Sequence, residues 1–169
     1  MALKLTELAR KAIESNLKGK EFIPDEDTKK KYSKKGASFV TLTKNKCLRG
    51  CVGSLEAFQE LWKDVIENAV NAGFRDFRFN PLTYEEFLEI KIEVSVLSSA
   101  KKISAEKITK DMGIILKKGI RTSTFLPQVW EEIPDKTEFL EHLSMKAGLP
   151  KDAWKDAELW GYTVKAQKE

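Results

Sequence analysis

A mixed α and β chain is what this sequence predicts, on three observations. Apolar residues recur at helical spacing in two stretches, Leu5 to Leu17 and Leu61 to Val70. Apolar alternation with period two marks strands at Ala37 to Thr43 and at Ile90 to Val96. Polar turns at Lys44-Asn45-Lys46 and Lys118-Gly119 each separate a pair of such segments, so two hairpins are expected. With 169 residues, 41% hydrophobic and 33% charged, the chain can bury one substantial core or two small lobes sharing one.

Taken in order, Leu5, Leu8, Ala9, Ala12, Ile13 and Leu17 form the buried face of a first helix, with Thr6 available as its cap and Gly19 placed to end it. Lys20 to Gly36 contains Pro24, an acidic Asp25-Glu26-Asp27 and a basic Lys29 to Lys35 region, and shows neither period; it is expected as an exposed loop. The first hairpin joins Ala37–Thr43 to a strand from Cys47. Period two then puts Cys47, Arg49 and Cys51 on one face, with Leu48, Gly50 and Val52 on the other, where Leu48 and Val52 can pack.

A helix follows through Leu61, Trp62, Val65, Ile66, Ala69 and Val70, ending near Gly73. Thr83-Tyr84-Glu85-Glu86 is a capping box that opens a short helix ahead of the Ile90, Ile92, Val94, Val96 strand, which should be central in its sheet. Ser98 to Ser104 is a lysine-containing linker, Ala105 to Ile108 a helical turn, and Gly113–Lys117 with Ile120–Phe125 the second hairpin. Pro127 suits the first position of a helix holding Val129 and Trp130. After Pro134, Asp135 or Thr137 caps a helix whose buried face is Phe139, Leu140, Leu143 and Ala147 and whose end is Gly148. Trp154, Trp160 and Tyr162 are packing residues, and Glu158 to Ala166 is a last strand.

Two windows carry unusual chemistry. Cys47 to Ser54 gathers the only two cysteines, Arg49, Gly50, Gly53 and a serine into eight residues. Glycine inside a strand marks a bulge or a close approach, so something should come near Cys51. The cysteine Cα atoms in a strand would lie roughly 13 Å apart, beyond disulfide reach, so both thiols are expected reduced. The turn after the strand lacks the lysine and spacing of a phosphate loop, and Glu56 would repel phosphate. The second window, Phe74-Arg75-Asp76-Phe77-Arg78-Phe79-Asn80-Pro81, alternates rings with charges. It reads equally as a loop anchored by three phenylalanines around an Arg75–Asp76 ion pair, or as an arginine presented to a ligand.

Leu48-Arg49-Gly50-Cys51-Val52-Gly53, Phe74-Arg75-Asp76 with Arg78-Phe79, Glu93 to Leu97, Phe125-Leu126-Pro127-Gln128-Val129, Glu138 to Leu143 and Lys146-Ala147-Gly148-Leu149 together resemble the AMMECR domain, named for AMME syndrome candidate gene 1. Val52 stands where isoleucine is more usual, Ser144 where cysteine is common and Phe77 where proline is common. The resemblance covers nearly the whole chain. It implies one domain over residues 1–169 with an α+β fold of two intertwined sub-lobes. Each would be a mainly antiparallel sheet with packed helices, and the Leu48–Gly53 motif would line a cleft they share. It implies no established reaction. Relatives keep company with Memo-like proteins and radical S-adenosylmethionine proteins, which implies them as partners.

Three functional classes follow. In a binding module, Arg49, Gly50, Cys51, Gly53, Arg75, Asp76, Arg78 and Arg121 would receive a partner or a small anionic ligand, the arginines acting as carboxylate or phosphate forks. In an enzyme, Cys51 would be the nucleophile, Arg49 would favour its thiolate and the glycines would leave room for substrate. The base is missing, since His142 is the only histidine and, beside Leu143 on a packed helix, reads as structural or surface. Nucleic-acid regulation has only the net charge of +4 and pI near 8.9 behind it. No metal-ligand spacing, cofactor motif, signal peptide or membrane-length apolar run is evident, so no cofactor is expected and the setting is expected to be cytoplasmic. The binding module, centred on Arg49 and Cys51, is the class the residues favour.

Overall fold

The computed structural model describes residues 1–169 as two compact units, one of Met1–Leu97 with Lys165–Glu169, the other of Ser98–Val164. The elements are α1 (Leu5–Leu17), α2 (Glu26–Lys31), β1 (Ala37–Lys44), β2 (Cys47–Gly53), α3 (Leu61–Phe74), α4 (Tyr84–Glu89), β3 (Lys91–Leu97), β4 (Lys101–Lys102), β5 (Gly113–Lys118), β6 (Arg121–Phe125), α5 (Val129–Glu132), α6 (Lys136–Lys146), β7 (Glu158–Tyr162) and β8 (Val164–Lys168). They form two four-stranded antiparallel sheets, ordered β2-β1-β3-β8 and β4-β7-β5-β6. The fold is therefore α+β, and β3 is an interior strand.

In the first unit, Val40 and Leu42 of β1 and Ile92 and Val94 of β3 turn the same face of the sheet toward α1 and α3. Leu5, Leu8, Ala9, Ala12 and Ile13 meet Val65, Ala69 and Ala72 there, and all are buried. Burial of these side chains stabilises the layer by about 1.5–3 kcal/mol for each large one. A carboxylate pins the far end of α3: Asp64 is wholly buried, and its Oδ2 accepts from the Ser38 N–H at 2.8 Å, the Ser38 hydroxyl at 2.6 Å and the Asn68 amide at 3.0 Å. The Ser54 hydroxyl donates to its Oδ1 at 2.7 Å. Neutral donors thus satisfy both oxygens of a buried carboxyl group that no cation pairs.

The second unit packs α6 on its sheet through Phe139, Leu140 and Leu143 against Ile114, Leu116 and Leu159. Trp130 stacks on Phe139, ring centroids 3.7 Å apart and nearly parallel. Ser144, at the position where the resemblance leads one to look for cysteine, is fully buried and fully used. Its hydroxyl donates to the Leu140 carbonyl at 2.9 Å and accepts from the Trp154 N–H at 3.1 Å. At the ends of this unit, the Ser98 N–H donates to the Thr163 carbonyl at 2.9 Å and the Thr163 N–H to the Ser98 hydroxyl at 2.8 Å.

Several local expectations need correction. Lys20–Gly36 contains α2, because Asp25 caps it, accepting from the Thr28 N–H at 2.7 Å, and its acidic first turn and basic last turn both suit the helix dipole. The first helix begins at Leu5, so Thr6 is buried inside it; Glu7 accepts from the Lys4 N–H instead. The first hairpin turns on Asn45 and Lys46, both at positive φ. The second turns on Gly119-Ile120, with Gly119 at φ 60°. The last strand breaks at Thr163 into β7 and β8, which enter different sheets. No helix is long and apolar enough to cross a membrane.

Candidate functional site

The Leu48–Gly53 segment lies on β2, an edge strand, and its register slips between Leu42 and Thr43. Leu42 faces Gly50 and Thr43 faces Leu48, which leaves Arg49 as the extra residue of a bulge. Strict alternation therefore fails here. Leu48, expected to pack, is 44% exposed, whereas Arg49 is only 8% exposed.

The arginine is committed to neighbours within its own unit. Its Nε donates to Glu86 Oε2 at 2.7 Å, and its Nη2 donates to Glu86 Oε1 at 3.1 Å and to the Asn80 carbonyl at 2.7 Å. Only its Nη1 is buried without a protein partner. Glu86 serves twice, since it is also the reciprocal residue of the Thr83 capping box at the start of α4. The hydrogen bond from Arg49, with help from the Thr83 N–H and the Lys44 charge, holds the Glu86 carboxyl down to about 2.

Asp76 is the second hub. Its carbonyl accepts from the Phe79 N–H at 3.0 Å, closing a turn with Phe77 and Arg78 at the tip. Its carboxylate accepts from the Arg78 N–H at 3.2 Å, Arg78 Nε at 2.9 Å and Arg78 Nη2 at 2.7 Å. It also accepts from the Cys51 N–H at 3.0 Å, so it covers a main-chain donor on the open edge of β2. The Arg78 side chain, then the Cys51 and Arg78 amides, lower the Asp76 carboxyl to about 2. The ion pair expected between Arg75 and Asp76 is instead between Arg78 and Asp76; exposed Arg75 reaches back to Asn71 at 3.4 Å.

The rings divide unequally. Phe79 lies under both guanidiniums, 5.6 Å from that of Arg49 and 5.5 Å from that of Arg78. Phe77 anchors nothing, being 97% exposed. Arg49, Phe77, Arg78, Phe79, Asn80 and Glu86 line an open, mainly polar pocket of about 390 Å³.

Cys51 is half-buried, and its Sγ lies 3.3 Å from the Thr41 hydroxyl. Burial pushes its thiol up, outweighing the opposing pull of Thr41 and Arg78, while Asp76 and Glu93 add to the rise. A thiolate is disfavoured at this position. Both glycines have protein occupants for the space they leave. A Cβ on Gly50 would sit 2.2 Å from the Ala72 carbonyl oxygen of α3, and one on Gly53 would sit 2.2 Å from the Phe39 ring.

Of the residues singled out in the sequence, the structure brings Arg49, Cys51, Asp76 and Arg78 into one network. Arg121 belongs to the other unit, exposed on β6, and His142 lies on α6 with a buried Nδ1 that has no partner. Sequence reasoning missed Phe79, Asn80 and Glu86 as members of the network. Phe79 and Asn80 lay inside the window of alternating rings and charges, and the capping box of Glu86 pointed only to helix initiation. No group of three or more His, Cys, Asp or Glu side chains converges as a metal site.

Comparison with known proteins follows the same residues. The AMMECR1 family profile matches residues 6–168. Protein NEQ441 of Nanoarchaeum equitans is 39% identical over 177 residues, covering 98% of this chain and 97% of that one. Protein MK0488 of Methanopyrus kandleri is 40% identical over 175 residues, covering 96% and 84%. The crystal structure of the uncharacterized protein PH0010 from Pyrococcus horikoshii superposes with a TM-score of 0.90 at 36% identity, covering 98% of this chain and 89% of that one. The match takes in the bulged strand, the pinned turn and both sheets, and on that ground the chain belongs to the AMMECR1 family.

Proposed function

We propose that this chain is a binding module that works with a partner protein, and that the surface it offers is the turn at residues 75–80. One observation carries the reading: the Leu48–Gly53 segment directs both the Arg49 guanidinium and the Cys51 N–H to the 76–86 stretch that holds this turn. The signature thus acts as a clamp, and what it clamps is a preformed surface with low ordering cost on binding. A small anionic ligand would find its cation in Arg78, whose side chain is 46% exposed beside the open pocket. The Memo-like and radical S-adenosylmethionine proteins that accompany the family are the partners to try.

Nucleophilic catalysis gains no support, because the Cys51 thiol is raised and its near neighbour is a hydroxyl, not a base. The test is calorimetric titration of the purified chain with each of those two proteins from the same source. Binding should occur with at least one and weaken about tenfold in Arg75→Glu, whose circular dichroism melt should match the wild type. No heat with either protein overturns the partner assignment, and equal binding by the variant overturns the turn as the surface.

A further inference from the structure

We infer that Phe77 is the anchor of this interface, a ring held out for an apolar pocket on a partner protein whose pocket rim is acidic. The inference rests on the binding-module reading and adds to it the residue and the chemistry of the occupant.

The fold itself draws nothing from Phe77. At 97% exposure the ring buries no surface, and a turn closed by an Asp side chain and carbonyl tolerates most residues at its second position. What the fold does is hold it still. Asp76 ties the near side of the turn to Cys51 and to Arg78, Phe79 lies beneath two guanidiniums, and Arg49 holds the Asn80 carbonyl on the far side. Six hydrogen bonds already described thus converge on residues 76–80, and the one ring that faces solvent sits between them. Aromatic and arginine side chains on a preorganised support are the usual composition of an energetic hot spot.

Charge selects the partner. Arg75 is exposed and the Arg78 side chain is 46% exposed, whereas the Asp76 side chain is 4% exposed and Glu86 is engaged by Arg49. Arg78 is already balanced by buried Asp76, so the tip presents a ring whose excess charge is the single positive charge of exposed Arg75, complementary to an apolar pocket with a carboxylate at its rim. An anionic membrane surface fits less well. One ring and two arginines fall short of the two independent signals that stable membrane attachment takes.

The experiment replaces Phe77 with photoreactive p-benzoylphenylalanine in the full chain, expressed at native level in its own host. The same replacement at Ile120, which is 98% exposed, is the control. The expected result is one protein adduct at 77 that is absent at 120. That protein, purified, should bind the wild-type chain at least tenfold more tightly than Phe77→Ala, whose melting temperature should be unchanged. It should also bind Arg75→Glu more weakly, with a smaller salt dependence. No adduct at 77, an adduct with lipid or with a second copy of this chain, or equal affinity for Phe77→Ala would each overturn the anchor. If Phe77→Ala binds normally while Arg75→Glu and Asp76→Asn do not, the anchor falls and the turn as a binding surface stands. If all three bind normally, both fall.

Discussion

Asp76→Asn is the substitution that most directly tests the clamp, since it keeps the shape of the side chain and removes its charge. Asp76 accepts two backbone and two guanidinium hydrogen bonds, all from donors that favour the ionised form. Its folded value of about 2 lies below the ordinary 3.8, so its contribution is complete above about pH 4 and is lost as the pH falls towards 2. Linkage makes that gap worth about 2 kcal/mol at neutral pH, and nearer 1 kcal/mol once solvent screening at the half-exposed Arg78 is allowed for. Urea unfolding of the wild type and of Asp76→Asn should therefore differ by about 1–2 kcal/mol at pH 7 and converge to within about 0.5 kcal/mol at pH 2. Other carboxylates titrate in the same range but are common to both proteins and cancel. A difference that stays constant from pH 7 to pH 2 would show that the charge of Asp76 contributes nothing, and that the turn is held by other contacts.

Two further outcomes follow from the same strand. Gly50→Ala should destabilise by about 3 kcal/mol or more, because its Cβ meets backbone of α3, while Gly53→Ala should cost less, because it meets a phenylalanine ring that can turn. Thermal melts compare them, and the reverse order would mean that Gly50 is open to something other than the helix. Iodoacetamide should label exposed Cys47 well before half-buried Cys51 at pH 8, since burial raises the Cys51 thiol. Mass spectrometry of a time course reads this directly, and faster labelling of Cys51 would restore the nucleophile reading.

Most helices and strands were legible because their burial follows a single period. Leu5 to Leu17 and Ile90 to Val96 each show one apolar face, and each packs on that face. The failures have local causes. α2 was hidden because it buries only Thr28, so its signal was the cap at Asp25 and the order of its charges. The break at Thr163 was hidden because apolar residues continue on both sides of it, and nothing in the alternation says that the two halves enter different sheets. At the site, Arg49, Cys51, Asp76 and Arg78 were identifiable by residue type and proximity in sequence. The partners of Arg49, Glu86 and the Asn80 carbonyl, were not. A one-residue bulge decides that Arg49 turns to Glu86, 37 positions away, and no periodic pattern records a bulge.

The discontinuous first unit bears on the order in which the chain can fold. Residues 98–164 form an insertion whose two ends are tied to each other by Ser98 and Thr163. The final five residues then return to the first unit, where the Glu169 carboxylate takes a guanidinium fork from Arg10 and the Ile92 N–H. Emerging from a ribosome N-terminus first, the chain exposes every residue of the inserted unit before β8 is available. The nascent first unit carries β3 as a temporary bare edge throughout that interval, a window in which strand exchange between neighbouring nascent chains is open to it and closes only when β8 docks.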